Sequence, residues 1–312
     1  MSTGRDPVLV AVDGTWGSTG AISFAADEAH RRGVALVVAH VAPAVVPFLP
    51  VLPMSEDEVA SVGQQTLDDA ASAVRERRPE LDVSTLLRIG SRVRHLVELA
   101  ETSSLVVLGR DLSVPLERVL TGSVSTRVTA RAARPCVVVP AAWKALGPDE
   151  PRQVVAGLGS VHGADAVLSE AFSVAESTGA ALRVMHTWHV PDAYGELILA
   201  SRDGDALLAT VRERFDALLA PWRSRHPQVD VALDVEPGRP VHVLMAASRG
   251  AERLVIGRTT PGSRSRGLGS LGLGSTAHAL ILSAPSPVVV VPHDEVAHDD
   301  ELVLEERGHL VR

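Results

Sequence analysis

The sequence predicts an α/β protein made of two tandem, doubly wound parallel sheets of five strands each, with helices on both faces. Three observations predict it. Short apolar runs rich in Val and Leu alternate with stretches whose apolar residues recur at helical spacing, the pattern of a parallel sheet covered on both sides. Several of those runs stop at Gly or Asp-Gly. The order of elements in residues 1–141 then recurs in residues 153–292, a tandem duplication rather than a solenoid.

The first half begins with a strand over Val8–Val12, closed by Asp13-Gly14. Ser18 to Arg32 reads as a helix with Ile22, Ala25, Ala26 and Ala29 on one face and Gly33 as its stop. Val34 to Val41 is a second buried strand. Ala42 to Met54 carries four prolines and is read as a loop, apolar enough either to pack on a neighbouring helix or to serve as a lid or partner surface. Ser55 to Arg78 is a helix with Val59, Val62, Leu67, Ala70, Ala71 and Val74 as its stripe. Val83–Arg88 is strand three, and Gly90-Ser91 opens a helix containing Val93, Leu96, Val97 and Ala100. Leu105–Leu108 is a buried strand ending at Gly109. A loop leads to a helix over Gly122–Ala133, and Cys136–Val139 is the last strand.

Residues 142–152, with Gly147-Pro148 and Pro151, form a linker. Beyond it the pattern returns: a strand over Gln153–Gly157, a helix over Ala164–Ser177 stopped by Gly179, and a strand over Ala181–His186. The stripe Leu207, Leu208, Val211, Phe215, Leu218, Leu219, Trp222 answers that of Val59–Val74. Leu254-Val255-Ile256-Gly257-Arg258 answers Val106-Val107-Leu108-Gly109-Arg110, and Gly274-Ser275 answers Gly122-Ser123. Residues 293–312 read as a solvated acidic tail that includes His293 and His298.

Composition narrows the function classes. A formal charge of −8 lacks the basic face that nucleic acid or an anionic membrane requires. A single cysteine, Cys136, rules out an internal disulfide framework, and its setting is that of a buried strand residue. No apolar run reaches membrane-spanning length and no signal-peptide core opens the chain, so a cytoplasmic location is expected. Lys144 is the only lysine and stands in no Walker A context, which excludes a P-loop NTPase. No His-Glu-x-x-His, Cys-x-x-Cys or Gly-x-Ser-x-Gly occurs. Gly267-Leu268-Gly269-Ser270-Leu271-Gly272 matches a dinucleotide fingerprint in letters, but follows no strand directly.

The stretch that carries function is Leu105 to Ser123. A strand, a glycine, a loop and a helix start gather free backbone N–H groups and a positive dipole end at one point, a natural anion cradle. The spacing from Gly109 through position 112 to Gly122-Ser123 resembles the Gly-x2-Gly-x9-Gly-Ser/Thr signature of the universal stress protein family, with Leu112 where the family has its second glycine. The resemblance covers about residues 7–140 and 153–292. It implies strand order 3-2-1-4-5 in each half and pairing of the halves through their last strands as a pseudo-dimer, with homodimerisation also open. It also implies one crevice at the strand ends where the order reverses.

In that crevice Val41 would flank an adenine and Asp13 would accept from ribose hydroxyls or the exocyclic amine. Gly14 completes the turn after Asp13. Gly109, Gly122, Ser123 and Val124 would offer N–H groups to phosphates, with Arg110 as a further phosphate contact. The ligand expected from the resemblance is ATP, with or without Mg, and the protein a stress-response regulator rather than an enzyme. A nucleotide-free scaffold acting on an unknown protein partner, and a weak ATPase, are the alternatives. In the second half Leu158 is aligned with Asp13 and Thr187 with Val41, and Gly274 comes four residues late, so that site is expected to be weak or empty.

Overall fold

Alternation along each strand divides its side chains between two cores. Val8, Val10 and Val12 of β1 (Val8–Val12) enter one core, and Leu9 enters the other; Leu105 and Val107 of β4 (Leu105–Arg110) oppose Val106 and Leu108 in the same way. The computed structural model describes residues 6–44, 55–110, 123–147, 149–188, 202–259 and 272–293. In the first half β2 spans Leu36–Ala42, β3 Val83–Ile89 and β5 Cys136–Pro140. The helices are α1 (Thr19–Arg32), α2 (Glu56–Arg77), α3 (Arg92–Ala100) and α4 (Val124–Thr129). The second half follows with β6 (Gln153–Leu158), α5 (Ala164–Thr178), β7 (Ala181–Trp188), α6 (Arg202–Arg225), β8 (Val231–Pro237), α7 (Pro240–Ala247), β9 (Arg253–Thr259), α8 (Ser275–Ser283) and β10 (Val288–His293).

Helix ends follow from local chemistry. The Ser55 hydroxyl accepts from Glu58 N at 3.2 Å while the Glu58 carboxylate accepts from Ser55 N at 2.7 Å, a reciprocal cap that starts α2. Gly33 closes α1 at φ 64°. The helix expected over Gly122–Ala133 is shorter: it stops at Thr129, and the chain turns as Arg131 N and Ala132 N both bond the Val128 carbonyl at 2.9 Å. Val124, Thr126, Val128 and Thr129 are β-branched and weak at extending a helix.

The ten strands form one sheet in the order β3-β2-β1-β4-β5-β10-β9-β6-β7-β8. Each half is parallel with order 3-2-1-4-5, and the halves join where β5 meets β10 antiparallel, Val138 opposite Val288, Val137 opposite Val289 and Cys136 opposite Val290. Two sheets were expected to meet at their last strands; pairing there removes both edges and makes one sheet. Ionic contacts reinforce the seam. Arg32 of α1 bonds Glu170 of α5 at 2.7 Å, and the buried Glu28 of α1 bonds Arg253 of β9 at 3.1 Å.

Candidate functional site: two strand-end crevices

In each half the sheet order reverses beside its first strand, so β1 and β4, and likewise β6 and β9, open a crevice at their carboxyl ends. At the end of β1, Asp13 Oδ1 accepts hydrogen bonds from Thr15 N at 3.0 Å, Thr15 Oγ1 at 2.7 Å and Ser18 Oγ at 2.8 Å. Ser18 Oγ in turn accepts from Asp13 N at 3.2 Å. Burial by itself raises the Asp13 pKa, but the Thr15 and Ser18 bonds and the charge of Arg92 outweigh it and hold the carboxylate below its usual range. The residue is ionised at neutral pH and fixed in orientation.

Val41 lies one strand away. Val12 pairs with His40, whose Nδ1–H donates to the Val12 carbonyl at 2.8 Å, so Asp13 and Val41 are the next residues on adjacent strands. Arg92 Nε donates to the Val41 carbonyl at 3.2 Å. Arg92, which places a cation near both residues, escaped the sequence reading; the signal was its position directly after the Gly90-Ser91 helix start.

Two glycines have structural reasons for being glycine. Gly14 adopts φ 75°, and a Cβ there would come within 3.2 Å of Thr66 Oγ1. A Cβ on Gly109 would lie 2.2 Å from the Gly17 carbonyl oxygen. The close neighbour of Gly109 is therefore the loop that Asp13 holds. Ser123 caps α4, accepting from Thr126 N at 3.2 Å, and Val124 is the first helical residue, packed half-buried on the second core. Gly122 and Leu112 lie outside the described residues, as does most of the loop after Ala42.

Arg110 ends β4. Its guanidinium turns to the seam, where Nη2 donates to the carbonyl of Ala284 in the other half. The residue is 7% exposed, and Nε and Nη1 are buried without hydrogen-bond partners. Burial alone pushes its pKa down to about 10. This contact ties the end of β4 to the other half of the chain.

The second half holds the surprise. A cavity of about 510 Å³, within the range of small-molecule sites, opens at the β6–β9 strand ends. Leu158, Met185, Leu244, Ile256 and Leu273 form its apolar side; Thr187, Arg258, Ser275, Thr276 and His293 contribute polar groups. Strand register corrects the alignment made from sequence. Val12 pairs with His40 and Leu158 with His186, and each His Nδ1–H donates to the carbonyl of its partner, at 2.8 and 2.9 Å. Leu158 therefore matches Val12, and Gly159 stands where Asp13 does. A second correction concerns His293, read as the first residue of a tail. It ends β10, pairs with Thr259 and packs between Gly163 and Gly257: a Cβ on either glycine would meet its ring at 2.8 Å.

Among the described residues no group of three or more His, Cys, Asp or Glu could hold a metal ion, and no helix is long and apolar enough to cross a membrane.

Comparison with known proteins matches the duplication. The model of the universal stress protein family fits residues 4–140 and again residues 151–292. A universal stress protein of Mycolicibacterium smegmatis is 31% identical over 295 residues, covering 91% of this chain and 96% of that protein. One from Mycobacterium tuberculosis is 29% identical over 290 residues, with 91% and 96% covered. The crystal structure of a universal stress protein from Archaeoglobus fulgidus superposes with a TM-score of 0.65 at 19% identity, over 93% of this chain and 97% of that one, a likeness of fold.

Proposed function

The chain belongs to the universal stress protein family, and we propose that it is a stress-response regulator governed by an adenine nucleotide bound in its first half. The ligand of this reading is ATP, with or without Mg, in the crevice of Asp13, Gly14, Val41, Gly109, Gly122, Ser123 and Val124. One observation carries it: the Asp13 carboxylate is ionised, held by three bonds on one oxygen, and adjacent in the sheet to the apolar Val41. Such a group can accept from ribose hydroxyls or an adenine amine while Val41 covers the base. Arg92 joins it as a nearby cation, and Arg110, which bonds the Ala284 carbonyl, would have to turn to reach a phosphate.

The cavity offers room for a second, weaker ligand position in the other half, where the sequence predicts a weak or empty site. With Gly159 at the counterpart of Asp13, that position offers an apolar slot and a helix start without the carboxylate that would accept from ribose. It suits a nucleotide less well than the first.

Calorimetric titration with ATP tests the reading. Wild type binds, and Asp13→Ala weakens binding by about 10- to 100-fold, the loss of a hydrogen bond to a charged group of about 1.5–3 kcal/mol. Equal affinity for both proteins moves the site away from Asp13. Absence of binding to either supports the nucleotide-free scaffold.

A further inference from the structure

The duplicated halves exchange one arginine each. Arg110, the last residue of β4, donates to the carbonyl of Ala284, the C-cap of α8. Arg258, its counterpart in β9, donates through Nη2 to the carbonyl of Ala132, just beyond α4. The two acceptors are counterparts as well, each nine residues after the Ser that follows the Gly-Ser glycine, Ser123 and Ser275. Both arginines are buried.

These ties run between the two crevices. Arg258 lines the second-half cavity, and Ala132 follows the helix whose N-cap is Ser123 in the first half. In the opposite direction, Ala284 closes the helix whose opening residues, Ser275 and Thr276, line the cavity. Each arginine therefore joins the strand end of one half to the rear of a helix whose front belongs to the other half's crevice. A phosphate is a stronger acceptor for a guanidinium than a neutral backbone carbonyl such as that of Ala132. An occupant of the cavity, above all one bearing phosphate, competes with Ala132 for the Arg258 guanidinium.

We propose that the reciprocal arginine ties couple the two crevices, so that filling the second-half cavity displaces Arg258 from Ala132 and loosens α4. The inference rests, for its biological use, on the reading of these crevices as ligand sites; the coupling itself belongs to the chain. Coupling between sites needs a physical link whose state both sites bias, and a side chain shared by both is such a link.

The test fills the cavity without a ligand. Gly159 lines it, and a Cβ there meets nothing within 4 Å, so Gly159→Trp places a ring in the space. Hydrogen exchange is then followed at amides 126–132, in the other half. The expected result is exchange faster by about fivefold or more, the lower end of typical coupling. In Arg258→Met those amides exchange fast from the outset and Gly159→Trp adds nothing. Arg258→Lys, which keeps the charge but not the planar fork, serves where the Met variant does not fold. Unchanged exchange in Gly159→Trp overturns the proposal, as does an equal increase in the Arg258 variants. ATP added to wild type separates the two readings: if ATP leaves exchange unaltered throughout the chain while Gly159→Trp speeds it, the nucleotide reading fails and the coupling stands.

Discussion

Replacing Glu28 by Gln removes a charge from the centre of the seam while keeping its shape. Glu28 is 2% exposed and bonds three arginines: Arg31, Arg32 at 2.6 Å and Arg253 at 3.1 Å. The three are not equal. The side chains of Arg31 and Arg32 are 18% and 21% exposed and can turn to water, whereas that of Arg253 is 4% exposed. Arg253 Nε and Nη1 already lack hydrogen-bond partners, leaving it Glu252 at 3.6 Å and the Phe24 ring at 5.0 Å. Glu28→Gln thus leaves one buried cation poorly compensated, at a cost near the lower end of the usual about 3–5 kcal/mol. At about 2–4 °C per kcal/mol for a unit of about 150–250 residues, about 3 kcal/mol lowers Tm by about 6–12 °C. Urea unfolding of both proteins at pH 7 measures the difference, and a loss below about 1 kcal/mol refutes the reasoning.

Acid provides the control. Burial alone would raise the Glu28 pKa, but Arg253, then Arg32 and Arg31, outweigh it and hold the folded value far below the usual carboxylate range. A depressed folded pKa stabilises fully above the unfolded value of about 4.3, and that contribution is lost as pH falls toward the folded value. The gap between wild type and Glu28→Gln therefore narrows on acidification below about pH 4 and stays constant above about pH 6.

Other expectations follow from the same geometry. Gly109→Ala drives a Cβ to 2.2 Å from the fixed Gly17 carbonyl and destabilises by about 1–3 kcal/mol or more in urea unfolding. Gly159→Asp restores a carboxylate at the counterpart of Asp13 in open space, so it raises adenosine affinity in an Asp13→Ala background, measured by calorimetry. The Cys136 thiol is 1% exposed, and burial pushes its pKa up to about 12, so thiol reagents at pH 8 label it only as the protein unfolds. Labelling of the native protein within seconds contradicts its place in β5.

Short continuous apolar runs set against stretches of period 3.6 made the alternation of strand and helix legible, and the repeat of Gly109-Arg110 as Gly257-Arg258 revealed the duplication. Asp13, Val41 and Ser123 were legible as site candidates because each stands at the end or start of an element. Register was not. Leu158 and Gly159 both close a strand in the text, and only the pairing of Leu158 with His186 shows which of them matches Asp13. Side-chain direction was equally hidden. Arg110 follows Gly109 in sequence, yet its side chain bonds Ala284, which is remote in the chain.

The sequence by itself determined the class of fold, the two halves and the family, because these depend on local periodicity and on spacings within one half. Only the tertiary structure decided that ten strands share one sheet, that Arg110 and Arg258 cross the seam, and that a cavity opens where Gly159 stands at the counterpart of Asp13. Those features arise from the meeting of β5 with β10, a contact between segments far apart in the chain, and no local pattern encodes which side chains such a meeting will bury.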